Sequence, residues 1–561
     1  MSNQNLDLRG TYRITGVPGA GKTTRLVEYI KKAIAKHGSS SIVVTSFTKA
    51  AATEIAEKAM QESGQFLMKH QLGTLHALAY QALNKPKMIE VKKHFLEWND
   101  HIRSKHPSLQ ITVESGRDLD DIGIDAQQFN TDGDKLFNEY SIKRNRMVDP
   151  LAYSDQLAHF STEWERWKLD IGGIDFTDML VLALRDVPEI PWQPTIGFLD
   201  EANDCTKLQL ALWQRWSRVF QYNIIAGDSD QCIYNFAGCD AGAFLDIDVA
   251  ENKKRYLLDS NRCPQLITDY ANKVIQLCKH RDQTVVMRPR KENNIPVQGF
   301  LDHSSATFKV PDQAIQAAQE YISNGFNVAF LTTCSYMLHE IIATLRKEAI
   351  PFENKYRRKR GDWNPLNPSN GTSAAEKLLA FCERPTVDWE GKPSDSEDVI
   401  ITTAKIKKWI SVIGSAGVFN RGAKKEIEET LIELPGRHEL LKWFDQHAFE
   451  ALSTGDLNWF EEHLLTPKKK SFEFSLAIAK HHGLAKLKEK PQITVGTIHS
   501  VKGATFDVVF LFPDLSYQGY QEWHTSAQGR DSIIRTWYVG ITRAKEGLVL
   551  CSPASEMAVR I

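Results

Sequence analysis

The 561-residue chain has no charge excess of either sign: 69 Lys and Arg stand against 70 Asp and Glu, a formal net charge of −1. A global basic field for holding nucleic acid is therefore excluded, and any such surface must be local. Its eight cysteines (Cys205, Cys232, Cys239, Cys263, Cys278, Cys334, Cys382 and Cys551) are scattered without a C-x-x-C pair. That argues against a zinc ribbon and suits reduced thiols. No apolar run reaches bilayer-spanning length, and Met1 to Gly10 lacks the apolar stretch of a signal peptide. No internal repeat of fixed period is evident. The expectation is a soluble, cytoplasmic protein of several domains with no membrane contact. At 42% hydrophobic and 25% charged residues, it has apolar material for more than one core.

What the chain does contain is Gly16-Val17-Pro18-Gly19-Ala20-Gly21-Lys22-Thr23, which fits G-x-x-x-x-G-K-[ST]. Thr11 to Thr15 before it reads as a strand. Lys22 to Lys36 after it reads as a helix stopped by Gly38. A glycine-rich turn between strand and helix presents backbone N–H groups to an anion at the positive helix end. Lys22 would reach the β- and γ-phosphates and the Thr23 hydroxyl would hold Mg²⁺, with Thr24 completing the nucleotide-binding run. An ordinary Gly-rich turn does not require this Lys and Thr in this context. The motif predicts a nucleotide triphosphate site.

Further strands are predicted at Ser41–Thr45, Thr195–Leu199, Asn223–Ala226, Asn327–Thr332, Ile493–Gly496, Asp507–Phe512 and Gly547–Leu550. They alternate with helical stretches and end in polar motifs, the pattern of an open parallel α/β sheet that binds ligands at its carboxyl edge. Two regions break it: the first mixes charges and aromatics with interrupted helical periods and no strand signal, and the second opens basic and loop-rich before helical stretches with Lys and Glu. The expected division is an α/β domain from residues 1–84 and 174–255 with 85–173 inserted. A second comprises 256–352 and 492–561 with 353–491 inserted.

Asp200-Glu201 follows an apolar strand: Asp200 would hold Mg²⁺ and Glu201 would activate the attacking water. Alone, such a pair is usually a solvated loop; downstream of a P-loop it is the required second carboxylate. Gln231, after the next strand, is placed to sense the γ-phosphate. Arginines are needed against the charge of phosphoryl transfer, and Arg262 and Arg543 bracket the second α/β unit.

In order, these elements resemble the superfamily 1 helicases of the UvrD/Rep type. The P-loop, Ser46-Phe47-Thr48-Lys49-Ala50-Ala51, Gly73-Thr74-Leu75-His76, Asp175 to Leu180, Asp200 to Asp204, Gly227 to Phe236, Thr497 to Gly503 and Tyr538 to Ala544 each match a family motif. The resemblance implies two RecA-like parallel-sheet domains of P-loop NTPase type, each with an inserted, mainly helical subdomain. It implies ATP and Mg²⁺ bound between them, with Lys22, Glu201, Gln231, Arg262 and Arg543 catalytic and Gly503 also at the nucleotide. Single-stranded DNA and single-strand/duplex junctions are the implied partners, with Phe47, Tyr234 and Phe236 stacking on bases and Thr48, His76, Thr497 and His499 beside the strand. The implied activity is ATP-driven 3′→5′ translocation with duplex unwinding. The alternatives are a translocase that displaces bound proteins with little unwinding, and a nucleotide-gated DNA-binding module. The departures gather at the nucleotide base. Gln4 is in the wrong context to read adenine, Asn261 replaces a stacking Tyr, and Thr505 replaces a Glu. Looser base selectivity is expected. Asn203 stands where the family has Gln and Ala237 where it often has Arg. The basic stretches Tyr356 to Arg360 and Lys468 to Lys470 are candidates for duplex contact or for solvated faces.

Overall fold

The computed structural model describes residues 10–63, 67–112, 131–354, 372–383 and 401–559. Gln4 and Tyr356 to Arg360 lie outside them. Contact density divides the chain into a larger unit (1–307, 331–336 and 497–561) and a smaller one (308–330 and 337–496).

The first sheet contains β1 (Gly10–Gly16), β2 (Ile42–Ser46), β3 (Leu72–Gly73), β4 (Ile196–Asp200), β5 (Tyr222–Gly227) and β6 (Lys254–Leu257). Their order is β3-β2-β4-β5-β1-β6, and every pair is parallel. Because all strands run one way, the segments leaving β1, β2, β3, β4 and β5 emerge at one edge, which assembles motifs far apart in sequence. β6 pairs with β1. Tyr256 and Leu257 thus lie in the first sheet, two residues past the point where the sequence reading opens the second α/β unit.

Both faces of this sheet are covered, as continuous apolar strands require. On one, helix Lys22–His37 buries Leu26, Val27, Ile30 and Ile34 against Ile14, Val44 and Phe198. It stops at Gly38, whose positive φ of 79° lets its N–H close on the Ile34 carbonyl. On the other, Trp213, Trp216, Leu208 and Leu180 pack against Val43, Leu199 and Ile225. The first inserted region contains helices Val91–Ile102, Asp132–Asn145 and Asp155–Asp170 around Trp98, Phe160, Trp164 and Trp167. Its scattered tryptophans are one aromatic core.

A short antiparallel ribbon joins β7 (Lys291–Glu292) and β8 (Ile295–Pro296). The remaining strands are β9 (Phe300–Ser304), β10 (Val328–Thr332), β11 (Phe352–Asn354), β12 (Ile493–Thr497), β13 (Phe506–Leu511) and β14 (Ala544–Cys551). In the larger unit β13, β14 and β9 pair in parallel, and in the smaller unit β11 and β12 do. The smaller unit's described insertion is helical over Ala374–Cys382 and again from Thr403 to His482, with Phe381, Trp409, Phe444 and Phe460 in its core. Lys468, Lys469 and Lys470 are exposed on helix Thr466–His482. The fold is α/β with two parallel sheets, as the strand pattern predicts.

Candidate nucleotide site and nucleic-acid interface

β1 ends in the P-loop. Gly19 and Gly21 take positive φ of 74° and 78°, which side chains resist, so the turn closes and helix Lys22–His37 begins at once. Gly16 has no room for a side chain either: a Cβ there would lie 2.5 Å from the Lys22 Cγ. Lys22 Nζ donates to the Gly16 carbonyl at 2.9 Å and has no carboxylate within salt-bridge distance among the described residues. The loop is also clasped from outside. Ser260 Oγ donates to Pro18 O at 2.8 Å, and Asn261 N and Nδ2 donate to Gly19 O at 2.9 and 3.2 Å.

β4 delivers Asp200 and Glu201 to the same edge. Burial, then the neighbouring Glu201, push the Asp200 carboxyl up to about 7, with Lys22 opposing. Its Oδ1 is buried without a hydrogen-bond partner. An orphaned, buried carboxylate oxygen facing the electrostatic reach of the P-loop lysine fits a divalent cation, which Asp200 and Thr23 would hold. Glu201 is in the left-handed region at φ 50°, ψ 41°, a strained conformation for a residue with a Cβ.

Asn203 joins this edge to the next strand end. Its Oδ1 accepts from Asp228 N at 2.8 Å and its Nδ2 donates to Asp204 Oδ1 at 3.0 Å. Asp228 in turn accepts from Gln231 Nε2 at 2.7 Å. With that amide committed as donor, Gln231 Oε1 faces Arg543, whose Nη2 donates to it at 3.0 Å. Chemistry fixes the orientation of this amide, since a carboxylate only accepts and a guanidinium only donates.

Arg262 and Arg543 lie close enough to repel. Burial and then Arg262 lower Arg543 to about 9, and burial lowers Arg262. Arg262 Nη1 donates to Thr542 O at 3.0 Å, and Arg543 donates to Val539 O and Ala504 O at 3.0 and 3.3 Å. Neither guanidinium has a carboxylate within 4.0 Å among the described residues. A buried Arg543 beside a half-buried Arg262, with carbonyls, the Gln231 amide and the Thr542 hydroxyl for company among the described residues, suits a polyanion. Arg262 also abuts the P-loop: a Cβ on Gly19 would sit 2.6 Å from its Cβ. Gly503, at φ 87°, opens onto free space.

On the other side of these strand ends is a cavity of about 930 Å³ whose walls include Phe47, Thr48, His76, Phe236 and His499. Phe47 stacks on Tyr234 with ring centroids 5.3 Å apart and planes 23° apart. Phe236 meets Tyr234 and His499 edge-on at 5.9 and 5.5 Å. His499 Nε2 donates to Ile233 O at 3.2 Å, and burial lowers both His76 and His499 to about 4, so both rings are neutral. Tyr234 supports Phe47 rather than lining the cavity. Thr497 is not brought to it: fully buried, its Oγ1 accepts from Ser500 N at 3.3 Å.

Sequence reasoning passed over Lys502. Its Nζ donates to Asp204 Oδ1 and to Gln231 O, each at 2.6 Å, and lies 5.0 Å from the Tyr234 ring centroid. It ties the strand end of β4, the segment after β5 and the aromatic platform to the turn after β12. The signal was present, because a lone Lys between His499 and Gly503 in a motif needs a partner, and Asp204 is an unassigned acid in another.

Comparisons with known proteins agree with this arrangement. The family model of the UvrD/REP helicase N-terminal domain matches residues 2–250, and that of the UvrD-like helicase C-terminal domain matches 458–554, together more than half of the chain. The ATP-dependent DNA helicase PcrA of Staphylococcus aureus is 20% identical, over 98% of this chain and 82% of its own. The putative ATP-dependent DNA helicase YjcD of Bacillus subtilis is 23% identical, over 98% and 78%. PcrA of Bacillus subtilis is 23% identical, over 95% and 79%. The chain belongs to the superfamily 1 helicases of the UvrD/Rep type, a family of DNA-dependent ATPases.

Proposed function

We propose that this ATP-dependent DNA helicase tracks 3′→5′ along single-stranded DNA and opens duplex at single-strand junctions. ATP is taken between the P-loop and the arginine pair. The single observation that carries the reading is the segment Gln231 to Phe236. At one end Gln231 bonds Arg543 and Asp228; five residues on, Phe236 lines the cavity. A shift of Arg543 is therefore transmitted over a few residues to the aromatic platform.

Lys22, released from the Gly16 carbonyl, binds the terminal phosphates, and Arg262 and Arg543 neutralise the charge that spreads over them as the bond breaks. Thr23 and Asp200 would hold Mg²⁺, which would supply further charge neutralisation at the phosphates. Glu201 orients and deprotonates the attacking water. Gln231 reports the presence of the γ-phosphate to Tyr234 and Phe236. The stacking platform accepts any base, because every base has a π-face, which suits a motor that must pass all sequences. Residues 1–84 with 174–257, and 258–352 with 492–561, act as the two RecA-like domains. The insertions at 85–173 and 353–491 meet the duplex.

The test is strand displacement with ATP on paired substrates carrying 3′ or 5′ single-stranded overhangs. Opening of the 3′-tailed substrate alone is expected. Opening of neither, with ATPase still stimulated by single strands, would replace unwinding by protein displacement. Glu201→Gln should abolish turnover while leaving ATP binding intact; a wild-type enzyme without turnover would instead indicate a nucleotide-gated binding module.

A further inference from the structure

The cavity beside the aromatic platform has two polar walls that no motif includes. On helix Asp132–Asn145, from the first insertion, Asn138, Ser141 and Asn145 recur at spacings of three and four and line it along one helical face. On helix Ala527–Ile541, Gln528, Ser532 and Thr536 recur every four residues and line it from another side. Ser141, Asn145 and Thr536 spend their donors within their own helices, on Phe137 O, Ser141 O and Ser532 O at 2.9, 3.0 and 2.9 Å. The side chains of Asn138, Gln528 and Ser532 make no hydrogen bond among the described residues. Three donor groups are thus presented to the cavity.

Charge is scarce there. Among the described lining residues the cations are Lys49, Lys92 and Arg146, matched by Glu90, Asp175 and Glu522. Arg146 is already engaged, its Nη2 donating to Asn235 O at 3.1 Å. His76 and His499 are neutral rings. A strand in this cavity meets aromatic faces and neutral donors, not a basic track.

We infer that the single strand is gripped through its phosphate oxygens by neutral donors, the amides of Asn138 and Gln528 and the hydroxyl of Ser532, so that binding displaces few counterions. The inference rests on the helicase reading of the cavity and adds a recognition chemistry to it. It also gives the first insertion a share of the single-strand site. Neutral hydrogen bonds hold a phosphate without the deep Coulomb well of a lysine, which lets a strand step past. Each phosphate neutralised by a cation contributes about −0.7 to the slope of log affinity against log salt on single strands. With three cations at most, the slope should be no steeper than about −2.

The experiment is fluorescence anisotropy of an oligothymidylate of about eight nucleotides, titrated with the whole protein over a salt series. A slope of about −2 or shallower is expected, and a steeper one overturns the inference while leaving the cavity as the strand site. Asn138→Ala, Gln528→Ala and Ser532→Ala together, all at the cavity surface, should weaken binding about 10- to 30-fold without changing the slope. Unchanged affinity in that variant overturns the inference. Phe47→Ala separates the two levels: if it leaves affinity unchanged, the strand does not occupy this cavity and the underlying reading fails with it.

Discussion

Arg543 donates from Nη2 to Gln231 Oε1 at 3.0 Å, and Gln231 returns its own amide to Asp228 at 2.7 Å. One neutral side chain thereby joins a buried cation just before β14 to a buried acid just after β5 without placing the two in contact. Burial raises the Asp228 carboxyl and lowers Arg543, so each charge is held at a cost and the amide bonds to both. In the proposed function, a γ-phosphate oxygen would compete directly for the guanidinium that Gln231 holds.

Gln231→Ala removes that competitor and the report of it. DNA-stimulated phosphate release should fall about a hundredfold in kcat, with ATP affinity changed less than about threefold. An equal loss in both, measured by steady-state kinetics and nucleotide titration, would make Gln231 a simple binding residue.

Lys502 is the sole cation within salt-bridge distance of Asp204 among the described residues. Removing it strands a buried carboxylate, so Lys502→Met should lower unfolding free energy by about 3–5 kcal/mol in urea titrations. Adding Asp204→Asn should recover a large part of that loss. Additive effects of the two substitutions would show that the pair is not coupled.

His499 is held neutral, its pKa lowered by burial from 6.5 to about 4. The folded value lies below the unfolded one, so the unfolded chain binds the extra proton between them. The stability from this residue is complete above pH about 6.5 and is lost as pH falls towards 4, a contribution of about 2–3 kcal/mol. His499→Gln keeps a donor for Ile233 O but cannot titrate. Its urea midpoint should fall less than that of the wild type over this interval, and parallel profiles would contradict the assignment.

Asn261 spends both its backbone N–H and its amide on the Gly19 carbonyl. A residue so occupied steadies the phosphate loop and offers no aromatic face to a base. GTP and CTP should therefore be hydrolysed within about tenfold of ATP, since a site without base-directed hydrogen bonds discriminates weakly. A strict preference for ATP would sink the idea.

Much of the fold was legible because parallel strands buried on both faces write continuous apolar runs, as at Ile42–Ser46 and Ile196–Asp200. Where a strand is short and half-exposed the signal weakens. Tyr256 and Leu257, the end of Lys254–Leu257, were assigned past the first unit because nothing local says that they pair with β1. The aromatic insertion core was legible only as composition, since Trp98 meets Trp164 and Trp167 across two helices. Thr497 sits inside a recognisable motif but turns inward, a direction that motif membership does not carry.

The sequence alone determined the phosphate chemistry. Gly16 to Thr23, Asp200, Glu201 and the two arginines are residue types that phosphoryl transfer requires, and their order along the chain is enough to name them. Tertiary structure decided how these parts are joined. That Gln231 bridges Asp228 and Arg543, that Lys502 answers Asp204, and that Asn138 and Ser532 face one cavity all depend on side-chain direction across hundreds of residues of separation. Local pattern sets which groups exist; only packing of the strand ends and helices against one another sets which of them can touch.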